Sequence, residues 1–424
     1  MEASNSGIFS VSNAGSYIEA LSSTADEMSL LQRSNLIYLD KCLHKHWGLG
    51  QNVILSWCPT DDGVAVLLVP HYAVAAYSEQ AGPALAADHN AVRPSEDFFK
   101  SLIAGRRRLT PRQIDNVARL LGIEITRITL RQGIDDSPTT DRIIEKLIKR
   151  YSISYVPSRA VALFDIVGFS LLTPFEQMTQ LNSLSYSLNS AQSRMLAKDI
   201  GIDFGRSTTG DGFYLWNREI GLNGDIKLYH LMHLVLADNA IARTKAKYNT
   251  VPELRAGFHV GSSYEFHQAE GLNPTLYNYI VGDVTVELAR MIDRALPSQI
   301  IVGEFPAYSD SLSVTDTGVM TPDSMAFVEQ ATKSLDQLNG LELAGEKIES
   351  IKCYLTGTRL KTGGFSIRRI TINDKHGISR NVFNAKVNIY RTHAEPILLG
   401  IEDRQLSPHN LLIEKMEHFV KREL

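Results

Sequence analysis

The stretch "RAVALFDIVGFSLL", residues 159–172, is an apolar, strand-forming run with a single acid, Asp165, near its middle. A buried strand seldom carries a lone carboxylate, because removing that charge from water is costly unless a cation or a metal ion meets it. Asp165 therefore asks for a partner, and the rest of the chain can be searched for one.

The search leads to "GRSTTGDGFYLW", residues 205–216. Asp211 stands between two glycines in a tight turn joining two short strands, the pattern of a β-hairpin. A hairpin beside the first strand can bring Asp211 next to Asp165. Two hard carboxylates close together suit one or two Mg²⁺ ions holding a triphosphate.

Around these two acids the pattern alternates. Strands are expected at 160–167, 203–206, 212–216, 254–260 and 299–302, with helices at about 174–199, 226–247 and 284–294. That predicts an α/β or α+β domain, bounded near Pro157 and spanning 159–320. Residues 1–150 read as a separate mixed unit. It has a helix from Asp26 to Trp47, strands "NVILSWC" and "GVAVLLV", a loop at 78–97, a helix started by Thr110–Pro111 and stopped at Gly122, and an amphipathic helix at 139–151. Arg106, Arg107, Arg108 and Arg112 lie between two short helices, as in a small helix-turn-helix that could meet phosphates. The simpler reading is a solvated basic turn in a regulatory or dimerising unit. Residues 325–424 read as a β-rich terminal unit with one helix, 324–338, and strands at 347–357, 365–372 and 381–392.

The whole-chain numbers bound the function. A length of 424 residues suggests two or three domains, and a net charge of −4 gives no general attraction to nucleic acid or an anionic membrane. Three cysteines far apart in sequence argue against a disulfide framework. Cys42, His44 and His46 match no common zinc spacing and read as a partly exposed helix face. The N-terminus has no basic segment followed by an apolar one, so the expectation is a cytoplasmic protein without a membrane span.

Four landmarks in order, "FDIVGFS" (164–170), "TTGDGF" (208–213), "LRAGFHVG" (254–261) and "VGDVTVELARM" (281–291), resemble the catalytic domain of class III nucleotidyl cyclases. The resemblance covers about 145 residues and implies a ferredoxin-like core, with homodimers sharing their sites between chains. It implies Asp165, Asp211 and the backbone carbonyl of Ile166 as ligands of two Mg²⁺ or Mn²⁺ ions. Backbone N–H groups of Phe169 and Ser170 would face the terminal phosphates, and Arg290 would stabilise the transition state.

The sequence departs from adenylate cyclases of that family at the base pocket. Ser207, preceded by Arg206, stands where a lysine usually reads adenine, Tyr279 takes the partner position, and Val286, flanked by Thr285 and Glu287, takes that of the transition-state asparagine. A donor-only arginine suits carbonyl oxygens such as those of uracil or cytosine. "GRST" resembles the pyrimidine cyclases of Pycsar anti-phage systems, which implies UTP as substrate and cyclic UMP as an alarm signal read by a separate effector protein. A cytidylate or adenylate cyclase, or a non-catalytic cyclase-like sensor, are the alternatives. Residues 366–390 resemble the AGS-C sensor module; Asp374, Lys375, His376 and Asn384 carry that likeness, and a polar turn between strands is the competing reading.

Overall fold

The computed structural model describes residues 29–77, 96–134, 137–269, 276–309, 320–357, 366–374, 376–406 and 417–419. The chain divides into two compact units, one of residues 1–156 with 264–280, the other of 157–263 with 281–424. Among the described residues no helix is long and apolar enough to cross a membrane.

The first unit is built on an antiparallel sheet of β1 (Asn52–Thr60), β2 (Gly63–Pro70) and β3 (Ile125–Thr129). β1 and β2 are apolar almost without interruption because both faces of the sheet are covered. Leu36, Leu39 and Leu43 of α1 (Leu30–Trp47) and Ile144, Leu147 and Ile148 of α4 (Pro138–Arg150) pack with Ile54, Trp57, Val64 and Val66. On the other face, with a β-bulge between Ile54 and Ser56 exchanging the two faces of β1, Val53, Leu55, Ala65 and Leu67 meet Phe99 of α2 (Glu96–Ile103) and Ile114, Val117 and Leu121 of α3 (Pro111–Leu121). The start and stop signals of α3 act as expected. Thr110 and Gln113 form a reciprocal capping box behind Pro111, and Gly122 closes the helix at φ 65°.

Two of the four arginines of the basic turn are committed to the fold, while Arg106 and Arg112 are exposed. Arg107 is 1% exposed and donates to the hydroxyls of Ser152 and Ser154 and to the carbonyls of Ile103 and Ile153. Arg108 pairs with Asp141 and lies over the Trp57 ring. Arg107 thus cross-links its own unit, which the sequence could not show because its partners lie up to 47 residues away.

β4 (Ile153–Ile166, in the second unit from Pro157), α5 (Pro174–Leu196), β5 (Phe204–Thr208), β6 (Gly212–Asn217), α6 (Leu222–Lys245) and β7 (Leu254–Ala269, in the second unit to Ser263) follow one another. Their sheet order is β7-β4-β6-β5, the split βαββαβ arrangement of a ferredoxin-like, mixed α+β fold. α6 is buried nearly all round over Leu228–Asn239, polar residues included, and forms the centre of the core. Its Leu228, Tyr229, Met232 and Val235 pack with Leu184 and Leu188 of α5 and with Ala160, Ala162 and Phe164 of β4. β4 begins at Ile153 and runs through Pro157, seven residues earlier than the apolar pattern predicts, and a proline within a strand is the reason it is hard to read. β7 likewise continues nine residues past the expected end and pairs with β8 (Leu276–Val281).

The sheet does not stop there. After α7 (Asp283–Ile292), β9 (Ile300–Gly303) lies parallel to β7. The short pair β10 (Tyr308–Ser309) and β11 (Met320–Thr321) leads to α8 (Ser324–Lys333), then β12 (Glu342–Leu343), β13 (Glu346–Leu355), β14 (Ile367–Asn373), β15 (Ser379–Arg391), β16 (Ala394–Leu399), α9 (Asp403–Leu406) and β17 (Glu417–Phe419). β15 pairs antiparallel with β9 through Val382–Ala385 and also with β13, β14 and β16. The segments read separately as 159–320 and 325–424 therefore contribute to one continuous sheet.

Candidate active site

Asp165 sits at the end of β4, directly opposite Gly212 in the antiparallel β4–β6 ladder. Glycine is required there: a Cβ at 212 would stand 1.9 Å from the Phe164 carbonyl oxygen. The β5–β6 hairpin turns through Thr209, Gly210 and Asp211, with Gly210 at φ 100° and the Thr209 N–H bonded to the Gly212 carbonyl at 3.0 Å. The Ile166 N–H donates to the Asp211 carbonyl at 3.0 Å, so the two acids are stitched together by backbone, as the hairpin reading expects. The Thr209 hydroxyl donates to the Asp211 carboxylate at 3.1 Å.

Electrostatics mark the place. Burial pushes the Asp165 carboxyl above its ordinary range, the Arg255 guanidinium opposes this, and the nearby charges of Asp211 and Asp293 push it further up. The Arg255 Nε donates to Asp165 Oδ2 at 2.6 Å and its Nη1 to the Ala295 carbonyl at 3.1 Å. Tyr214, on β6, has its phenol pushed up to about 12 by burial and then by Asp211 and Asp293; its hydroxyl donates to the Thr285 carbonyl. Asp165, Asp211 and Asp293 bring like charges to this strand end, and Arg255 offsets them.

The donor set is small. Among the described residues no cluster of three or more His, Cys, Asp or Glu side chains is arranged to hold a metal ion. Two aspartates and a backbone carbonyl nevertheless fit Mg²⁺ or Mn²⁺, since such ions usually take one or two carboxylates and complete their shell with water and substrate phosphate.

The remaining expected residues are distributed unequally. Phe169 and Ser170 follow Gly168, at φ 69°, in a single 3₁₀ turn, Phe169–Leu171, while the α-helix proper starts only at Pro174 behind its Thr173 cap. The turn's own bonds run from Leu171 N to Gly168 O and from Leu172 N to Phe169 O, so it does not use the N–H groups of Phe169 and Ser170. Arg206 is exposed on β5, with one long hydrogen bond to the Ser185 hydroxyl at 3.4 Å, and Ser207 faces Tyr214 in the ladder. Tyr279 belongs to the first compact unit, where it stacks on Phe266 with centroids 5.7 Å apart. Arg290, on α7, is partnered by Asp374 at 3.4 Å, and among the described residues neither Asp165 nor Asp211 is within ion-pair distance of it. Val286 is exposed, Thr285 is buried with its hydroxyl bonded to the Gly282 carbonyl, and Glu287 is held by Arg380.

Two charged residues escaped the sequence reading. Arg255 lies in the quoted "LRAGFHVG" but nothing local connects it to Asp165, 90 residues away. Asp293 directly follows α7 and has no motif of its own. In the C-terminal strands Asn384 is fully buried; its Nδ2 donates to the Thr356 hydroxyl and the Ile401 carbonyl, and its Oδ1 accepts from Gln299. That makes it a pin between strands. Lys375 lies outside the described residues, and His376 donates its backbone N–H to Asp374.

No protein-family profile and no curated protein sequence matches this chain. Solved structures do. The adenylyl cyclase CyaB from P. aeruginosa is similar at 11% identity and a TM-score of 0.29, over 40% of this chain and 93% of that one. The guanylate cyclase domain of RhGC from Catenaria anguillulae, in complex with GTP, is similar at 16% identity and a TM-score of 0.28, over 39% of this chain and 94% of that one. The guanylyl cyclase Cya2 is similar at 13% identity and a TM-score of 0.32, over 61% of this chain and 97% of that one. A functional reading has to rest on the site residues themselves.

Proposed function

We propose that this protein is a class III-type nucleotidyl cyclase that converts a pyrimidine nucleoside triphosphate, UTP first, into its 3′,5′-cyclic monophosphate and pyrophosphate. The observation that carries the reading is the backbone-stitched pair of Asp165 and Asp211 at the β4 end and the β5–β6 turn. Asp165, Asp211 and the Ile166 carbonyl would hold the divalent ions. When bound, Mg²⁺ or Mn²⁺ lowers the pKa of the 3′-hydroxyl and neutralises phosphate charge.

In the reaction the ribose 3′-oxygen forms a bond to the α-phosphorus, the bond from that phosphorus to pyrophosphate breaks in line, and the hydroxyl proton leaves to solvent. The chain's part is positioning and charge. The N–H groups of Phe169 and Ser170 are available to the terminal phosphate oxygens, and Arg290 supplies a fixed cation for charge developing at the α-phosphorus. Arg290 would serve the aspartates of a second copy, which makes a homodimer the working form. Arg206 and Ser207 would contact the base; the exposed Arg206 guanidinium has donors to spare for uracil or cytosine carbonyls. A cyclic pyrimidine nucleotide acting as a defence signal, through a separate effector protein, and a sensing role for residues 366–390 complete the proposal.

Incubating the purified protein with each of the four triphosphates and Mn²⁺, and separating the products, tests it. Cyclic UMP as the main product is expected. Cyclic AMP as the main product would end the pyrimidine assignment, and no cyclic product from any triphosphate would end the enzyme reading in favour of a sensor.

A further inference from the structure

Asp374 opens the "DKHG" stretch at the end of β14, and its carboxylate is occupied on both sides. Oδ1 accepts the backbone N–H groups of His376 at 2.8 Å and Ile378 at 2.9 Å, an Asx-type turn that fixes the carboxylate against its own backbone. Oδ2 accepts Nη1 of Arg380 at 2.8 Å and faces Nη1 of Arg290 at 3.4 Å. The other edge of Arg380 grips Glu287 through Nε. Glu287 and Arg290 are three residues apart on α7 and so share a helix face. The order Glu287–Arg380–Asp374–Arg290 is an alternating chain of charges that ties this face of α7 to the β14–β15 connection. The Asp374 side chain is only 3% exposed, while that of Arg290 remains 30% exposed.

We propose that Asp374 is a positioning residue for Arg290: the β14–β15 connection sets the direction of the guanidinium that faces the reacting phosphate. The proposal rests on the cyclase reading above and assigns the C-terminal strands a part in it. Asp374 is satisfied mainly by Arg380 and two N–H groups, so the longer contact to Arg290 orients that side chain without consuming it. One Nη is used, and the other donors of the guanidinium's five remain for phosphate oxygens. A cation held in place before the reaction costs no reorganisation during it. Asp374 also stays ionised over the working range: burial opposes the charge, but the N–H groups of Ile378 and His376 and the Arg380 guanidinium hold the carboxyl down at about 2.

The test compares Asp374→Asn, which keeps the acceptor of the turn and removes the charge, with Arg290→Ala and the double variant. Two readouts are taken: steady-state kinetics with the preferred triphosphate, and the rate of phenylglyoxal modification of Arg290 followed by peptide mass spectrometry. Asp374→Asn is expected to lower kcat by about 10- to 100-fold with KM within about twofold, the split of an interaction made in the transition state. Arg290 modification should quicken several-fold, and the double variant should be no slower than Arg290→Ala alone. Arg380→Lys, which loosens the same chain with less change to the turn, should shift both readouts in the same direction if Asp374→Asn fails to fold. Unchanged modification and kcat, an equal further loss in the Arg290→Ala background, or a rise in kcat would each overturn the positioning role. Wild-type protein that makes no cyclic product is a separate result: it ends the cyclase reading and the positioning role together, and faster modification in Asp374→Asn would then leave only an ion pair.

Discussion

Arg107 of the first unit and Arg206 of the second both stand beside small or basic residues in strand-and-turn sequence, yet their surroundings are opposite. Arg107 is enclosed and donates to two serine hydroxyls and two carbonyls of its own unit. Arg206 is exposed and makes one long hydrogen bond. The same contrast holds among the acids. Asp225, on α6, is buried and accepts the Ala160 N–H and the Asn217 amide, whereas Asp211 is half-buried at a turn, with its carboxylate touched by one hydroxyl. Charges that hold the fold are spent on internal donors and acceptors; charges that can act on a ligand keep capacity in reserve. A count of basic or acidic residues cannot separate the two.

Four substitutions bear on that division. The largest effect is expected at Asp211→Ala: on the proposed reading, in which its carboxylate serves a ligand, cyclic nucleotide formation should fall about 10³-fold or more, with the thermal midpoint nearly unchanged because the turn is held by backbone. Calorimetry beside a product assay checks both halves; full residual turnover would remove Asp211 from the site. Arg107→Ala is the converse. It should destabilise the first unit by about 3–5 kcal/mol in denaturant melts, by leaving the Ser152 and Ser154 hydroxyls and the Ile153 carbonyl short of a donor. A mild effect there would break the comparison.

Arg206→Ala should leave stability within about 0.5 kcal/mol and shift the preference among triphosphates by about tenfold. Competition between UTP, CTP and ATP measures it, and an unchanged preference would take Arg206 out of base recognition.

The last effect is a pH dependence. Burial raises the Asp225 carboxyl to about 7, against the pull of the Ala160 N–H, Asn217 and Arg159. Its folded-state pKa therefore lies above its unfolded one. The folded state holds the proton more tightly, so this contribution is full in acid and is lost as pH rises from about 4 through about 7. Asp225→Asn, which keeps the acceptor oxygen, should gain on the wild type by about 1–3 kcal/mol at pH 8 and by little at pH 4. Thermal melts across that range test the sign.

Local elements were legible wherever local chemistry decides them. The caps of α3, the "TTGDG" turn with Gly212 pressed against Phe164, and the capped start of α5 at Thr173 all lie within a few residues of the signals that announce them. β3, "ITRIT", went unread because it is short and only Ile128 of its five residues is buried, and its partner β2 lies about 60 residues upstream. The start of β4 was hidden by Pro157, and the continuity of the sheet from β9 into β15 depends on strands nearly 80 residues apart.

The division at the site follows the same physical line. By itself the sequence determined the order of elements, the hairpin that sets Asp211 beside Asp165, and the residue types available to a nucleotide, since these depend on backbone preference and short-range spacing. Only the tertiary structure decided which charges are committed. Arg255 pairs with Asp165, Arg107 is walled into its own unit, and Asp374 reaches Arg290 across 84 positions of chain. Ion pairing in a partly buried site depends on distance and dielectric surroundings, and neither is written in the neighbouring residues.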